Sequence, residues 1–233
     1  MAQARATAEQ ISRLGTLTTC EISDALIKLG HRTGGYVPDL ERYSGDENRT
    51  VVGEAYTVEM VDAECADAPK LEGHFVDLAT PDSVVFIRAP SYVKSASLGG
   101  LLATSLHRKG VRGVMISGRC RDLAELRALQ LPVFARGHST LGQSPFTRAS
   151  RVQVPLEIPP DNSTANHDKF GTTTVHPFDI VVADLDGVVV VRPSFVDRVI
   201  ELAKQGREVD DKCRKDLEDG RGVAETFKEH RGK

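Results

Sequence analysis

Residues 83–136, SVVFIRAPSYVKSASLGGLLATSLHRKGVRGVMISGRCRDLAELRALQLPVFAR, decide the fold. SVVFIRA (83–89) is an apolar run of strand length, and residues 98–109 set Leu101, Leu102 and Leu106 at helical spacing, facing inward. Residues 111–117 read as a second strand, 123–129 as a short helix and 132–136 as a third strand. Strands alternating with helices across short connections pair in parallel, by right-handed crossovers. The class is therefore α/β, built on a βαβαβ unit. Ligands of such sheets gather beyond the carboxyl ends of the strands, beside helix N-termini. Two places qualify, Gly99-Gly100 after the first strand and Arg119 to Asp122 after the second, and this topology allows them to be neighbours.

Working outward, residues 7–29 read as helix, with Thr18-Thr19-Cys20-Glu21 capping a second segment whose apolar face is Ile22, Ala25, Leu26 and Leu29. Val51 to Met60 alternates as a strand does, and Asp62 to Gly73 reads as a loop leading into a short helix. Val152 to Ile158 and Thr172 to Val175 read as strands separated by an exposed loop, Pro159 to Gly171. Asp179 to Arg192 is a hairpin of two apolar strands turning at Asp184 to Gly187. From Ser194 the chain is helical and highly charged, and a tail (194–233) with so poor a core face is expected to lie along a neighbouring subunit. No repeat, linker or low-complexity stretch interrupts the sequence, so 1–233 reads as one domain.

A net charge of −3 argues against a nucleic-acid binder, which needs a basic face. No apolar run approaches the ~18 residues that span a bilayer, and the first residues lack the apolar core of a secretory signal, which points to the cytoplasm. The four cysteines (Cys20, Cys65, Cys120, Cys213) form no CxxC pair and read as reduced thiols.

The two strand-end segments hold the parts of one kind of chemistry. Breaking a carbon–carbon bond beside a ketone leaves an enolate, whose charge is met by a lysine Schiff base or by a divalent metal with a cationic neighbour. Asp122 offers a hard oxygen ligand. Arg121 offers a permanently charged planar donor. Gly99-Gly100-Leu101-Leu102 opens a helix whose free N–H groups can cradle a carboxylate. The plainer alternative is a surface Arg-Asp pair in which Asp122 caps the helix that follows it.

The wording of the whole block, residues 99–137, resembles the RraA-like family. The likeness continues in CEISDAL (20–26), TGGYVPDL (33–40), VVGEAYTV (51–58) and VVADLDGVVVV (181–191), and covers about residues 10 to 220, closest to fungal members. The resemblance implies a swivelling-domain-like α/β/α sandwich with a C-terminal helical tail. It further implies metal-dependent cleavage of 4-hydroxy-4-methyl-2-oxoglutarate, with decarboxylation of oxaloacetate through the same pyruvate enolate. Carried over position by position, Arg121 contacts the pyruvyl part of the substrate, Asp122 ligates Mg²⁺ or Mn²⁺, and the backbone at Leu101 and Leu102 meets the substrate carboxylate. The bacterial aldolases carry an acidic residue twenty-one positions before that Arg, where this chain has Gly100. The family also borrows an acidic side chain from the C-terminal helix of an adjacent subunit, and Glu208, Asp210 and Asp211 lie in the matching region. A homotrimer, or an assembly of trimers, is implied with it. The family's other branch gives the alternative, a regulatory protein that keeps the scaffold without the chemistry.

Other residues carry weaker signals. Asp184 and Asp186 suit a hairpin turn better than a Ca²⁺ loop, His107 suits an exposed helix face, and His138, His167 and His176 show no paired spacing.

Overall fold

The computed structural model describes residues 5–160 and 170–232. The expected helix over 7–29 is two helices, α1 (Ala8–Leu14) and α2 (Thr19–Lys28). The break is enforced by a capping box at Thr18, whose hydroxyl takes the Glu21 N–H while the Glu21 carboxylate takes the Thr18 N–H. Two short strands follow, β1 (Tyr36–Val37) and β2 (Glu41–Ser44), then the long β3 (Val51–Asp62). The central unit runs α3 (Phe75–Leu78), β4 (Ser83–Arg88), β5 (Ala96–Leu98), α4 (Gly100–Arg108), β6 (Gly113–Cys120), α5 (Leu123–Leu129) and β7 (Val133–His138). Beyond it lie β8 (Thr147–Val152), β9 (Leu156–Ile158), β10 (Thr173–Val175), β11 (Ile180–Ala183) and β12 (Val188–Val191). Helices α6 (Val196–Glu218) and α7 (Val223–Arg231) complete the chain.

Strands β3, β4, β6 and β7 pair in parallel in that order, joined by α3, α4 and α5. The three helices cover one face of the sheet through Val85, Ile87, Val114, Ile116, Ala103, Leu106 and Leu126. The β11–β12 hairpin extends the sheet antiparallel beyond β3, and α1, α2 and α6 cover it through Leu14, Ile22, Leu26, Val199 and Ile200. Residues of the opposite parity, among them Val84, Phe86, Met115 and Phe134, meet Leu156, Ile158 and Val175 on the other face.

The sheet curls. Strand β1 pairs with β12 at one edge and β2 with β7 at the other, and only Pro38, Asp39 and Leu40 separate the two. A connection that short spans at most about 15 Å, so both edges are drawn together. The fold is the expected α/β type with its βαβαβ unit and C-terminal helices, and the helices that pack on the sheet do so on its outer face.

Three expectations need correction. Leu101 does not face inward: it is 86% exposed, because the helix starts at Gly100 and the inward positions are Gly100, Ala103 and Leu106. Val152 to Ile158 is not one strand. Gln153, with φ of 53°, turns the chain between β8, which lies on β3, and β9, which pairs with β10. The tail does have a core face, since Val196, Val199, Ile200 and Ala203 are buried against their own chain. Arg207 then pins α6 to α2 by pairing with Glu21 and donating to the Thr16 carbonyl at 2.9 Å. Helix α7 folds back on α6, with Arg231 bonded to Asp210 and Arg221 to Asp216. Most of the expected 159–171 loop, including His167, lies outside the described residues. Among the described residues no helix is long and apolar enough to cross a membrane.

Candidate functional site at the end of β6

The carboxyl end of β6 is re-aimed before it reaches Arg121. Its pairing with β7 shifts register between Ile116 and Arg119, a bulge of the kind that turns side chains toward a site. Strand β5 then pairs with Arg119 and Cys120, and the Arg121 N–H donates to the Leu98 carbonyl at 2.9 Å. These contacts bring the start of α4 beside the end of β6, joining the two expected segments.

Asp122 follows with φ of 60° and ψ of 45°, a left-handed conformation that costs a non-glycine residue roughly 1 kcal/mol. It stands at the N-cap of α5 yet makes no side-chain cap there. Its carboxylate crosses instead to α4, where Oδ2 accepts the Gly100 N–H at 2.9 Å. Arg121 Nε lies 3.5 Å from the same oxygen. The plain capping alternative is thereby excluded.

The glycines are explained by what they leave room for. A Cβ on Gly99 would stand 2.6 Å from Asp122 Oδ2 and 3.0 Å from Arg121 Nε. One on Gly142 would stand 3.0 Å from Arg121 Nη1, so the arginine side chain runs between two bare backbone positions. The resulting cleft is lined by Ser97, Leu98, Gly99, Leu101, Leu102, Arg121, Asp122 and Gln143. Gly100 donates to Asp122, whereas the N–H groups of Leu101 and Leu102 find no acceptor among the described residues.

Two features escaped the sequence. Gly142 and Gln143 come from a loop with no motif, and Glu125 comes from the first turn of α5. The Glu125 Oε2 lies against the point where a Gly100 Cβ would be, so its carboxylate occupies that missing side chain's space. A signal was present, since Asp122 and Glu125 share one face three residues apart, but their relation to Gly100 depends on how the two helices meet.

Cys120, beside the cleft in sequence, is fully buried, and burial pushes its thiol up to about 11. It is inert at neutral pH. Asp184 accepts the Thr19 N–H at 2.8 Å and the Thr19 hydroxyl at 2.6 Å, tying the hairpin turn to α2. His107 and His138 are exposed, and His176 lies beside Asp179, 3.5 Å from its carboxylate. Glu208, Asp210 and Asp211 do not line the cleft of their own chain. Asp210 is bonded to Arg231 and Asp211 to Arg214, while Glu208 is exposed and has no partner among the described residues.

Among the described residues no three His, Cys, Asp or Glu side chains gather as a ready-made metal cage. The donor chemistry still fits a hard cation. Asp122 Oδ1 carries no hydrogen bond while Oδ2 is held by Gly100. Mg²⁺ commonly uses one or two carboxylates and keeps its remaining ligands as water.

A family profile described as RraA-like, aldolase/RraA, matches residues 19–190. A Halalkalibacterium halodurans protein named "Putative 4-hydroxy-4-methyl-2-oxoglutarate aldolase" is 28% identical over 204 residues, 88% of this chain and 86% of that one. Among solved structures, an uncharacterized protein from Pseudomonas syringae pv. tomato superposes with a TM-score of 0.77 at 22% identity, covering 96% of this chain and 98% of that one. Streptomyces coelicolor RraAS2, described as an unusual member of the RNase ES inhibitor RraA protein family, superposes with a TM-score of 0.71 at 22% identity, covering 91% and 99%.

Proposed function

The chain belongs to the RraA-like family, and we propose that it is a divalent-metal-dependent lyase. It cleaves 4-hydroxy-4-methyl-2-oxoglutarate, or a related 4-hydroxy-2-oxo acid, to pyruvate, and decarboxylates oxaloacetate through the same pyruvate enolate. The observation that carries this reading is the convergence of Arg121, Asp122 and the open start of α4 on one small cleft.

Each part has a task. The free N–H groups of Leu101 and Leu102, at the positive end of α4, hold the substrate carboxylate. Gly99 keeps the backbone bare, so the substrate can approach closely. Arg121 donates to the keto oxygen, and its bond strengthens as the neighbouring carbon–carbon bond breaks and charge collects there. Such a donor contributes about 10²–10³ in rate. Asp122 would hold the cation, its carboxylate fixed by the Gly100 N–H at Oδ2 and its Oδ1 left available. When bound, Mg²⁺ or Mn²⁺ supplies Lewis-acid polarisation of the keto group. Leu101, 86% exposed at the cleft wall, supplies an apolar surface that a neighbouring subunit can cover. Of the three acidic candidates on α6, Glu208 is the one without a partner among the described residues, and it would serve such a neighbour in a homotrimer or an assembly of trimers.

Purified protein is assayed for pyruvate release from 4-hydroxy-4-methyl-2-oxoglutarate and from oxaloacetate, with Mg²⁺ or Mn²⁺ and with chelator. The expected result is release that chelation abolishes. No release from either substrate, or release indifferent to chelator, overturns the proposal. The second reading, a regulatory protein without chemistry, draws on the lack of a three-ligand cluster among the described residues. It predicts a stable protein partner and no metal binding by calorimetry.

A further inference from the structure

Asp122 alone is a sparse metal site, and the structure shows a second carboxylate beside it. Glu125 is exposed and makes no hydrogen bond or ion pair among the described residues. Its Oε2 nonetheless lies directly over Gly100, against the position a Cβ there would take, with Cδ at 2.6 Å and Cβ at 3.1 Å from the same point. Gly100 is therefore flanked twice. Asp122 Oδ2 is bonded to its N–H, and Glu125 fills the space of its absent side chain. Backbone geometry then keeps Asp122 Oδ2 and Glu125 Oε2 within about 7 Å of each other. A hydrated cation held by Asp122 would have Glu125 within reach of its water shell. Any residue at position 100 larger than glycine would push Glu125 out of this place.

We propose that Glu125 is the second carboxylate of the metal site, acting with Asp122, and that Gly100 is glycine so that Glu125 can take this position. The proposal rests on the metal-dependent reading of the Arg121–Asp122 cleft and adds to it a residue on α5. Glu125 acts through the cation's water shell, so it is a positioning residue. Asp122 lines the cleft from the N-cap of α5 and Glu125 stands three residues on, in the first turn of that helix, and both lie at the N-terminus of α4, which has no acidic residue in its own first turn.

The test is Mn²⁺ binding, followed by the loss of the free-ion signal in electron paramagnetic resonance and by calorimetry, with thermal melting alongside. Glu125→Gln is expected to weaken Mn²⁺ binding about tenfold, the lower end for a residue that orients metal ligands, with Asp122→Asn weakening it more. Gly100→Ala keeps every charge but displaces Glu125, and is expected to weaken binding to a similar degree. Added to Glu125→Ala, the Gly100→Ala change is expected to cost nothing further. The double variant Gly100→Asp/Glu125→Ala is expected to regain part of the lost affinity. Unaltered Mn²⁺ affinity in Glu125→Gln, with Asp122→Asn defective, overturns this proposal alone and leaves the cleft reading standing. So does a fall in melting temperature as the only effect of Glu125→Gln, which would make the residue a helix-end charge. No Mn²⁺ binding by the unaltered protein overturns both.

Discussion

Asp122 accepts a 2.9 Å hydrogen bond from the Gly100 N–H, a residue 22 positions earlier, instead of capping the helix it begins. This bond joins two crossover helices at their N-termini and fixes one carboxylate oxygen while leaving the other free. It is also made from a left-handed backbone, a conformation that persists only where its surroundings hold it.

Asp122→Asn is therefore expected to separate structure from function. An asparagine oxygen still accepts from Gly100, so the melting temperature should move little. Pyruvate release should fall at least about 100-fold through loss of the charged ligand. Asp122→Ala should show the same loss of rate and in addition lose about 1 kcal/mol of stability with the hydrogen bond. Melting and steady-state assays on both variants check the pair.

Arg121→Lys keeps the charge but not the planar fork. The expected outcome is a fall of about 10²–10³ in kcat, with a smaller change in KM. Gly142→Ala probes the same side chain without altering it, since the three atoms nearest the added methyl all belong to the far end of Arg121. That variant should lose roughly tenfold in kcat/KM through misplacement of the guanidinium, with an unchanged melting temperature.

Asp179 gives a pH signature independent of the cleft. It is 1% exposed, and burial pushes its carboxyl up to about 6 against the opposing effects of the His176 N–H and Arg192. Between about pH 4 and 6 the folded chain holds a proton that the unfolded chain has released, so this group makes stability fall as pH rises through that window. The full contribution is up to about 3 kcal/mol. Urea denaturation across pH 4–6.5 should show a flatter profile for Asp179→Asn than for the unaltered protein. Parallel profiles would refute the assignment.

If Glu208 serves a neighbouring subunit, two inactive proteins should rescue one another. Glu208→Gln and Arg121→Ala are each expected to be defective in pyruvate release. Oligomers reassembled from a mixture contain interfaces with one intact set of residues, and should recover part of the activity. No recovery in verified mixed oligomers would confine each site to its own chain.

The sequence made the central unit legible because periodicity is a local property. The run SVVFIRA, the hairpin around Asp184 to Gly187 and the Thr18–Glu21 capping box carry their own signals, and each forms where expected. What stayed hidden depends on distant parts of the chain. Strands β1, β2 and β5 have two to four residues, too few for a pattern, and are strands because of their partners. Leu101 fits the apolar period of α4, but where the helix begins relative to the sheet decides that it faces outward. Within the cleft, the Arg-Asp pair and the glycine-opened helix could be picked out by residue type. Gly142 behind Arg121 and Glu125 over Gly100 could not, because each is a contact between segments with no shared motif.

The three residues Pro38 to Leu40 have one more consequence. They connect strands at opposite edges of the same sheet, so the chain here acts as a clasp. Tyr36 pairs with Val189 and Glu41 with Ala135, both far away in sequence. Such pairings form late and slow the search for the native state. Once made, they end the main sheet in strands of only two and four residues, which offer a foreign strand too short a template for edge-to-edge aggregation. A single proteolytic cut between Val37 and Glu41 would unfasten that clasp, leaving each edge strand held by its own partner alone.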